Sequence, residues 1–190
     1  RNRFNDDFHE EVSYNLALVS FYGGQFDSAA TALHKLIVDY PRGFYINDAL
    51  QLLLVIDEAG ENEPVMKNFS QALWYLERQM PDSTRLRFNE IADAPGGLLA
   101  DIALYRLAGL DLDDADTVSA LGYVDRLITG YPDSYYLPFG LKMKADIYLT
   151  NKEKTEEAKE IYRRILENYG TYPFISEIRD KLRRLETDIS

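Results

Sequence analysis

The sequence contains no cysteine, which excludes disulfide bridges and thiolate metal sites. It also lacks any apolar run near the roughly 20 residues that span a bilayer. The longest run, Leu52–Ile56, has the length of a core segment. No signal-peptide pattern is visible. The chain opens on Arg1 instead of methionine, and we interpret it as a trimmed piece of a longer protein. The missing signal-peptide pattern therefore does not decide the cellular compartment.

Groups for catalysis or metal binding are scarce as well. Neither of the two histidines, His9 and His34, has a second ligand at metal spacing. No Gly-x-Ser-x-Gly elbow and no phosphate-binding glycine loop occur. The acidic run 111–116 does not fit a calcium loop, because Gly122 stands where a glutamate is required. We therefore predict no cofactor, no metal and no catalysis, with an enzyme as the remote alternative that a dense cluster of buried carboxylates would revive.

Acidic residues outnumber basic ones in the chain. There are 32 Asp and Glu against 21 Lys and Arg, which gives a net charge of −11. Residues 151–190 carry nine charges of each sign, so the first 150 residues hold the whole excess. An acidic surface repels phosphate groups. We therefore predict no nucleic-acid partner and no membrane insertion. The charge either serves solubility or indicates a basic partner.

Apolar residues recur at helical spacing along almost the whole chain, and strand patterns are scarce. Glycine or proline follows most of the periodic segments, as expected where helices end. The pattern predicts about 9–10 helices, at about 6–22, 26–40, 44–59, 64–80, 83–93, 97–109, one ending near 130, 135–150, 153–169 and 173–187.

One phrase recurs four times along the chain. The segments 29–40 and 158–169 both run from alanine to tyrosine over the same spacing, and 69–80 and 120–131 fit the same slot. Proline follows three of them, and Gly170 follows the fourth. The small residue lets helix backbones approach closely, and the proline ends the helix. One hairpin of two helices cannot bury its apolar face alone, so neighbouring hairpins must stack.

This pattern resembles the tetratricopeptide repeat family, and is most similar to its subgroup in Gram-negative envelope proteins. The phrase at 131–136, with Gly140 in the small-residue slot, and the phrase at 40–45, leading to Ala49, carry the resemblance. It covers about residues 12–187 and implies an all-α, right-handed solenoid of helical hairpins. The breakers are 40, 51 and 38 residues apart, whereas the family period is about 34.

The sequence predicts one domain over residues 1–190. The widest breaker spacing contains an inserted short helix, and the stretch 60–110 is expected to pack irregularly. The predicted parts are hairpins at about 8–41, 44–81, 97–132 and 135–170, the inserted helix at about 83–93, and a capping helix at about 173–187.

The resemblance implies a non-catalytic scaffold that binds a partner protein or peptide on its concave face. The first helices of the hairpins line that face in the family. Tyrosine suits such a surface because it offers rigid contact area with a polar tip, although most aromatic residues of the chain are expected in the core. The predicted partner-binding residues are Tyr14, Tyr45, Asp48, Tyr136 and Phe139.

A second hypothesis is structural, with the repeats acting as a spacer or oligomerisation arm of a larger envelope assembly. Exposed apolar surface on the first helix would favour it, because an uncapped end of a repeat stack invites association. The opening residues 1–5 offer no polar capping helix, so a homo-oligomer through the N-terminal end stays open. The resemblance implies a periplasmic or envelope-associated location, with the cytoplasm as runner-up.

Overall fold

The computed structural model describes residues 3–94 and 97–187. Pro95 and Gly96, on which a predicted break between helices falls, lie outside the described residues. Over the described ranges the chain forms ten α-helices, one short 3-10 helix at Lys152–Lys154 and no strand, so the predicted all-α class is confirmed. None of the described helices is long and apolar enough to cross a membrane. The α-helices are α1 (Arg3–Tyr22), α2 (Phe26–Asp39), α3 (Ile46–Ala59), α4 (Glu63–Glu77), α5 (Pro81–Ala92), α6 (Ala100–Asp113), α7 (Thr117–Gly130), α8 (Leu137–Tyr148), α9 (Thr155–Asn168) and α10 (Ile175–Thr187).

The chain divides into two compact units, 1–100 and 101–190. In unit 1 each helix from α1 to α5 packs on the next. The α1–α2 turn passes through Gly24, whose φ of 75° lies in the left-handed region that glycine adopts without strain. Phe21 and Phe26 meet edge to face across this turn, with ring centroids 5.4 Å apart. Both rings and the fully buried Ala29 belong to the core of this hairpin.

The boundary between α4 and α5 differs from the predicted one. The sequence predicts a helix over about 64–80 that stops before Pro81, but α4 ends at Glu77, and Gln79 turns the chain with a φ of 55°. Pro81 is instead the first residue of α5, a position where its missing N–H removes no hydrogen bond. Phe69 and Phe88 then pack edge to face, with ring centroids 5.8 Å apart. The short helix α5 is therefore part of the core of unit 1.

Unit 2 has a well-packed cluster among its last three helices, and α6 and α7 bury further apolar side chains. Gly140 lies where α8 meets α7, and a Cβ at this position would lie 2.8 Å from Cδ2 of Leu127. A small residue is therefore needed for this close approach. The cluster of buried side chains that joins α8, α9 and α10 consists of Leu137, Leu141, Ala145, Ala158, Tyr162, Ile165, Ile175, Ile178 and Leu182.

The two units share one structural pattern at an offset of 91 residues, the distance from Tyr40 to Tyr131. At this offset Phe26–Asp39 of α2 corresponds to Thr117–Gly130 of α7, so the two helices have matching bounds. Gly24, in the left-handed conformation, likewise corresponds to Ala115, whose φ is 60°. Residues 10–49 can therefore be compared position by position with residues 101–140.

A charged network joins α8, α9 and α10. Asp146 accepts hydrogen bonds from Lys142 at 2.7 Å and Lys181 at 2.6 Å. It also accepts one from the hydroxyl of Tyr162. Both lysines reach Glu177, at 3.1 and 2.8 Å. Burial alone would raise the pKa of Asp146, but its three donors outweigh burial and hold the pKa below the usual value. The hydrogen bond from Lys181, above all, lowers the pKa of Glu177 as well.

The contribution of this network to stability is expected to disappear in acid. Because the pKa of folded Asp146 lies below the unfolded value of about 3.9, its contribution is complete above that value and declines as the pH falls through the folded pKa. Asp146→Asn should therefore destabilise the protein at neutral pH, and by progressively less below about pH 4. Urea unfolding across this pH range measures the difference.

The matched control for this experiment is Asp180→Asn. The Asp180 carboxylate is exposed and lies 3.6 Å from a nitrogen of Arg183, so its removal should change stability little at any pH. A constant difference between wild type and Asp146→Asn over the whole pH range would contradict the prediction.

Candidate functional site

A buried carboxylate on α1 holds the junction between α2 and α3. The side chain of Glu10 is 3% exposed, and its Oε1 accepts a hydrogen bond from the backbone N–H of Tyr45 at 2.7 Å. Gly43 provides the space for this contact, because a Cβ there would overlap the Glu10 carboxylate. We call the group of Glu10, Gly43 and Tyr45 the clasp of unit 1.

Two of the predicted site residues meet beside this clasp. Tyr14 lies four residues after Glu10 and so shares its face of α1. Its ring stacks on that of Tyr45, with centroids 4.7 Å apart and planes 16° apart. Loss of water contact, and then the neighbouring carboxylates, raise the pKa of the Tyr45 hydroxyl. The clasp and the stack together fix the position of Tyr45.

An open pocket of about 600 Å³ lies next to the clasp. Glu10 is engaged in the clasp, so Asp7 and Glu11 are the carboxylates that face solvent there. Phe44 is 83% exposed at the same pocket. A carboxylate pair beside an exposed ring suits a cationic group that is flanked by an apolar one. The pocket is lined by Asp7, Glu10, Glu11, Arg42, Gly43, Phe44 and Tyr45.

Unit 2 contains the counterpart of the clasp, built from different side chains. Asp101 and Ser134 stand 91 residues after Glu10 and Gly43. The Ser134 hydroxyl donates to Oδ2 of Asp101 at 2.5 Å and accepts the backbone N–H of Tyr136 at 2.9 Å. Aspartate is one methylene shorter than glutamate, and the serine hydroxyl bridges the remaining distance. We call Asp101, Ser134 and Tyr136 the clasp of unit 2.

The stacked pair of rings recurs at this second clasp. Tyr105 stacks on Tyr136 with centroids 5.3 Å apart and planes 28° apart. In each unit 31 residues separate the two stacked rings, as the numbers of Tyr14 and Tyr45 show for unit 1. Tyr136 is 4% exposed, and its buried hydroxyl oxygen has no hydrogen-bond partner among the described residues. Burial raises the pKa of this hydroxyl above its usual value.

An aromatic surface extends from the second clasp towards α10. Phe139 lies 5.1 Å from Phe174, 5.4 Å from Tyr172 and 5.6 Å from Tyr135, measured between ring centroids. The Tyr172 hydroxyl donates to the carbonyl oxygen of Tyr135 at 3.1 Å. Tyr135 is 44% exposed. We define the aromatic surface of unit 2 as Tyr135, Phe139, Tyr172 and Phe174.

The predicted site residues thus fall into two groups, one in each unit. Tyr14 and Tyr45 meet in unit 1, and the exposed Asp48 lies in the first turn of α3 nearby in sequence. Tyr136 and Phe139 meet in unit 2, with ring centroids 6.2 Å apart. Because Tyr136 is buried, its ring supports the aromatic surface and offers little contact area itself. Partner binding by these five residues stays a prediction.

The two clasp carboxylates, Glu10 and Asp101, are not among the residues predicted from sequence. A usable pattern was nevertheless present, because Glu10 and Tyr14 reappear as Asp101 and Tyr105 at the offset that relates the two Tyr-Pro phrases. No group of three or more His, Asp or Glu side chains that could hold a metal ion occurs among the residues that the structure describes.

Comparison with protein families gives two matches to the model described as tetratricopeptide repeat, at residues 11–42 and 143–171. The first segment contains most of α1, all of α2 and the start of the loop that carries Gly43. The second contains the end of α8 and all of α9. No curated protein and no solved structure matches the chain.

Proposed function

We propose that this chain, a tetratricopeptide repeat protein, is a scaffold that binds a partner protein or peptide and catalyses no reaction. Tetratricopeptide repeats generally mediate contacts between proteins, and proteins of the family are typically non-catalytic. The proposed binding face is formed within each unit by the first helices of the hairpins and the loops that enter them. An envelope-associated location is proposed on the resemblance alone.

The pocket beside the clasp of unit 1 is the observation that carries this proposal. Phe44 exposes 83% of its surface there, next to the exposed Asp7 and Glu11. The clasp and the Tyr14–Tyr45 stack hold the loop behind this ring, so the ring is presented on a rigid base. Rigid aromatic anchors beside charged groups are typical of recognition sites. The proposed ligand is a lysine or arginine adjacent to an apolar residue in an extended segment of the partner.

The aromatic surface of unit 2 supports a second, less charged contact. Its four rings are half-buried or exposed and contact one another, so little side-chain freedom is lost when a ligand covers them. This surface suits apolar or aromatic side chains of a partner.

Selection of a random peptide library on the chain tests the pocket of unit 1. We expect the enriched peptides to carry lysine or arginine next to an apolar residue. Phe44→Ala and Glu11→Gln should each weaken binding of an enriched peptide about tenfold, measured by fluorescence anisotropy, which corresponds to about 1.4 kcal/mol. Binding should also weaken as salt is added, because exposed charges contribute to it.

The control variant is Val118→Ala, which truncates a side chain that is 79% exposed on α7 and should leave the affinity unchanged. Enriched peptides without a basic residue, or affinities that do not respond to Phe44→Ala, would remove the pocket from the proposed function.

A further inference from the structure

Helix α1 is apolar on two opposite faces. One face contains Ala17 and Phe21, which are fully buried. At 100° per residue, the residues of the second face point within about 80° of one another and away from the first face. We call this second face the α1 stripe; its residues and exposed fractions are Phe8 at 61%, Val12 at 37%, Leu16 at 62% and Val19 at 66%.

The same positions are buried at the corresponding place in the repeat pattern, in α6 and the residue before it. Leu99, Ala103 and Leu107 stand 91 residues after the first three residues of the α1 stripe, and each is 0% exposed. The α1 stripe therefore has the composition of an interior surface while it faces solvent. Contiguous apolar patches of a few hundred Å² are often functional on soluble proteins.

We propose that the α1 stripe pairs with the α1 stripe of a second copy of this chain in an antiparallel, twofold arrangement. A twofold axis near residue 14 sets Phe8 opposite Val19 and Val12 opposite Leu16. Each pair joins a larger side chain with a smaller one, so the stripe is complementary to itself. The four pairs contain no charged side chain that would have to be buried.

The charges of α1 select the antiparallel orientation. The exposed carboxylates of Asp7 and Glu11 lie in the first half of the helix, outside the stripe, at about 140° and about 100° from its centre. A parallel pair would place all four of these carboxylates at the same end of the pair, at matching levels along the helix axis. In the antiparallel pair the 1.5 Å rise per residue separates the two Asp7 residues by about 20 Å, well beyond the Debye length of about 8 Å in physiological salt.

The area of the stripe sets the expected strength of the pairing. Four side chains of this size and exposure present on the order of 400 Å² of apolar surface, and two copies would bury about twice that. With the polar residues around the stripes included, the buried area lies near the lower limit of specific interfaces, about 1,200 Å². The proposed dimer is therefore weak, with a dissociation constant of about 10–100 µM.

Sedimentation equilibrium of this chain from about 5 to 500 µM tests the pairing. We expect a monomer–dimer equilibrium in which Leu16→Glu and Val12→Glu each raise the dissociation constant at least about tenfold. Val118→Glu is the matched control, because it places the same charge at a side chain that is 79% exposed on α7, and it should leave the equilibrium unchanged. Circular dichroism checks that every variant keeps its helical content.

The absence of native cysteine allows a direct test of orientation. Asn15→Cys, near the twofold axis, should cross-link two copies through a short bismaleimide reagent. Ser20→Cys, about 80° from the centre of the stripe, should not, because the antiparallel pair separates the two copies of this residue by about 18 Å along the axis. Cross-linking of both variants would indicate a parallel pair and overturn the arrangement. A chain that stays monomeric at every concentration, which would leave the stripe to a different protein, or a dimer that survives Leu16→Glu, would overturn the proposal as a whole.

Discussion

Replacing Tyr162 by alanine is expected to lower the free energy of unfolding by about 3–5 kcal/mol. Tyr162 is fully buried on α9, in the cluster that joins α8, α9 and α10. Removing its ring eliminates buried apolar contacts and leaves a cavity that the surrounding helices fill only in part. The loss is therefore expected to be the largest of any single side-chain truncation considered for this chain.

Tyr162→Phe separates the packing of the ring from the hydrogen bond of its hydroxyl. The ring stays in place, and Asp146 keeps its donors Lys142 and Lys181 when the hydroxyl is removed. The expected cost is about 1.5–3 kcal/mol, the usual range for a hydrogen bond to a charged group. Urea unfolding followed by circular dichroism measures both variants, with Val118→Ala as the exposed control. If Tyr162→Ala cost no more than Tyr162→Phe, the cluster would not depend on the ring.

Replacing the clasp side chains of unit 1 by those of unit 2 is expected to give the second large change in stability. Gly43→Ser alone should displace the buried Glu10 carboxylate from the N–H of Tyr45, because a Cβ on Gly43 overlaps that carboxylate. Glu10→Asp alone is one methylene too short to reach the same N–H. Each variant leaves a buried polar group without its partner and should destabilise the protein by about 1–3 kcal/mol.

The double variant Glu10→Asp/Gly43→Ser should recover most of this loss. Together the two changes reproduce the side chains of the second clasp, in which Ser134 links Asp101 to the N–H of Tyr136. Unfolding of the four proteins gives a double-mutant cycle with an expected coupling energy of about 1–3 kcal/mol. If the two losses of stability were additive, with no coupling, the side chains of the two clasps would not be interchangeable.

The helices could be predicted from sequence because the relevant forces act locally. Helical periodicity and the proline that follows Tyr40 or Tyr131 operate within one or two turns of chain. The end of α4 could not be predicted in the same way. Gln79 adopts a left-handed conformation without being glycine, and Pro81 serves equally well as the end of one helix or the start of the next.

The candidate site was predictable only in part. Tyr14 and Tyr45 were predicted because the repeat pattern assigns them to the first helices of hairpins. The structure brings them into contact, with Tyr45 at the residue before α3. Glu10 was missed because sequence alone does not distinguish it from the adjacent, exposed Glu11. Its burial depends on a backbone N–H 35 residues away and on the missing side chain of Gly43. The envelope-type resemblance and the location stay predictions.

The clasps also constrain where this chain can change in length. In both units 35 residues separate the clasp carboxylate from the tyrosine whose backbone it holds, Glu10 from Tyr45 and Asp101 from Tyr136. One residue inserted within a helix of either interval would rotate the following part of that helix by about 100° and misalign the clasp. The interval between Tyr45 and Asp101 carries no such constraint from either clasp, and the extra helix α5 lies there. Insertions and deletions are therefore best tolerated between the clasped hairpins, so that an array of this kind lengthens by whole helices placed between clasps.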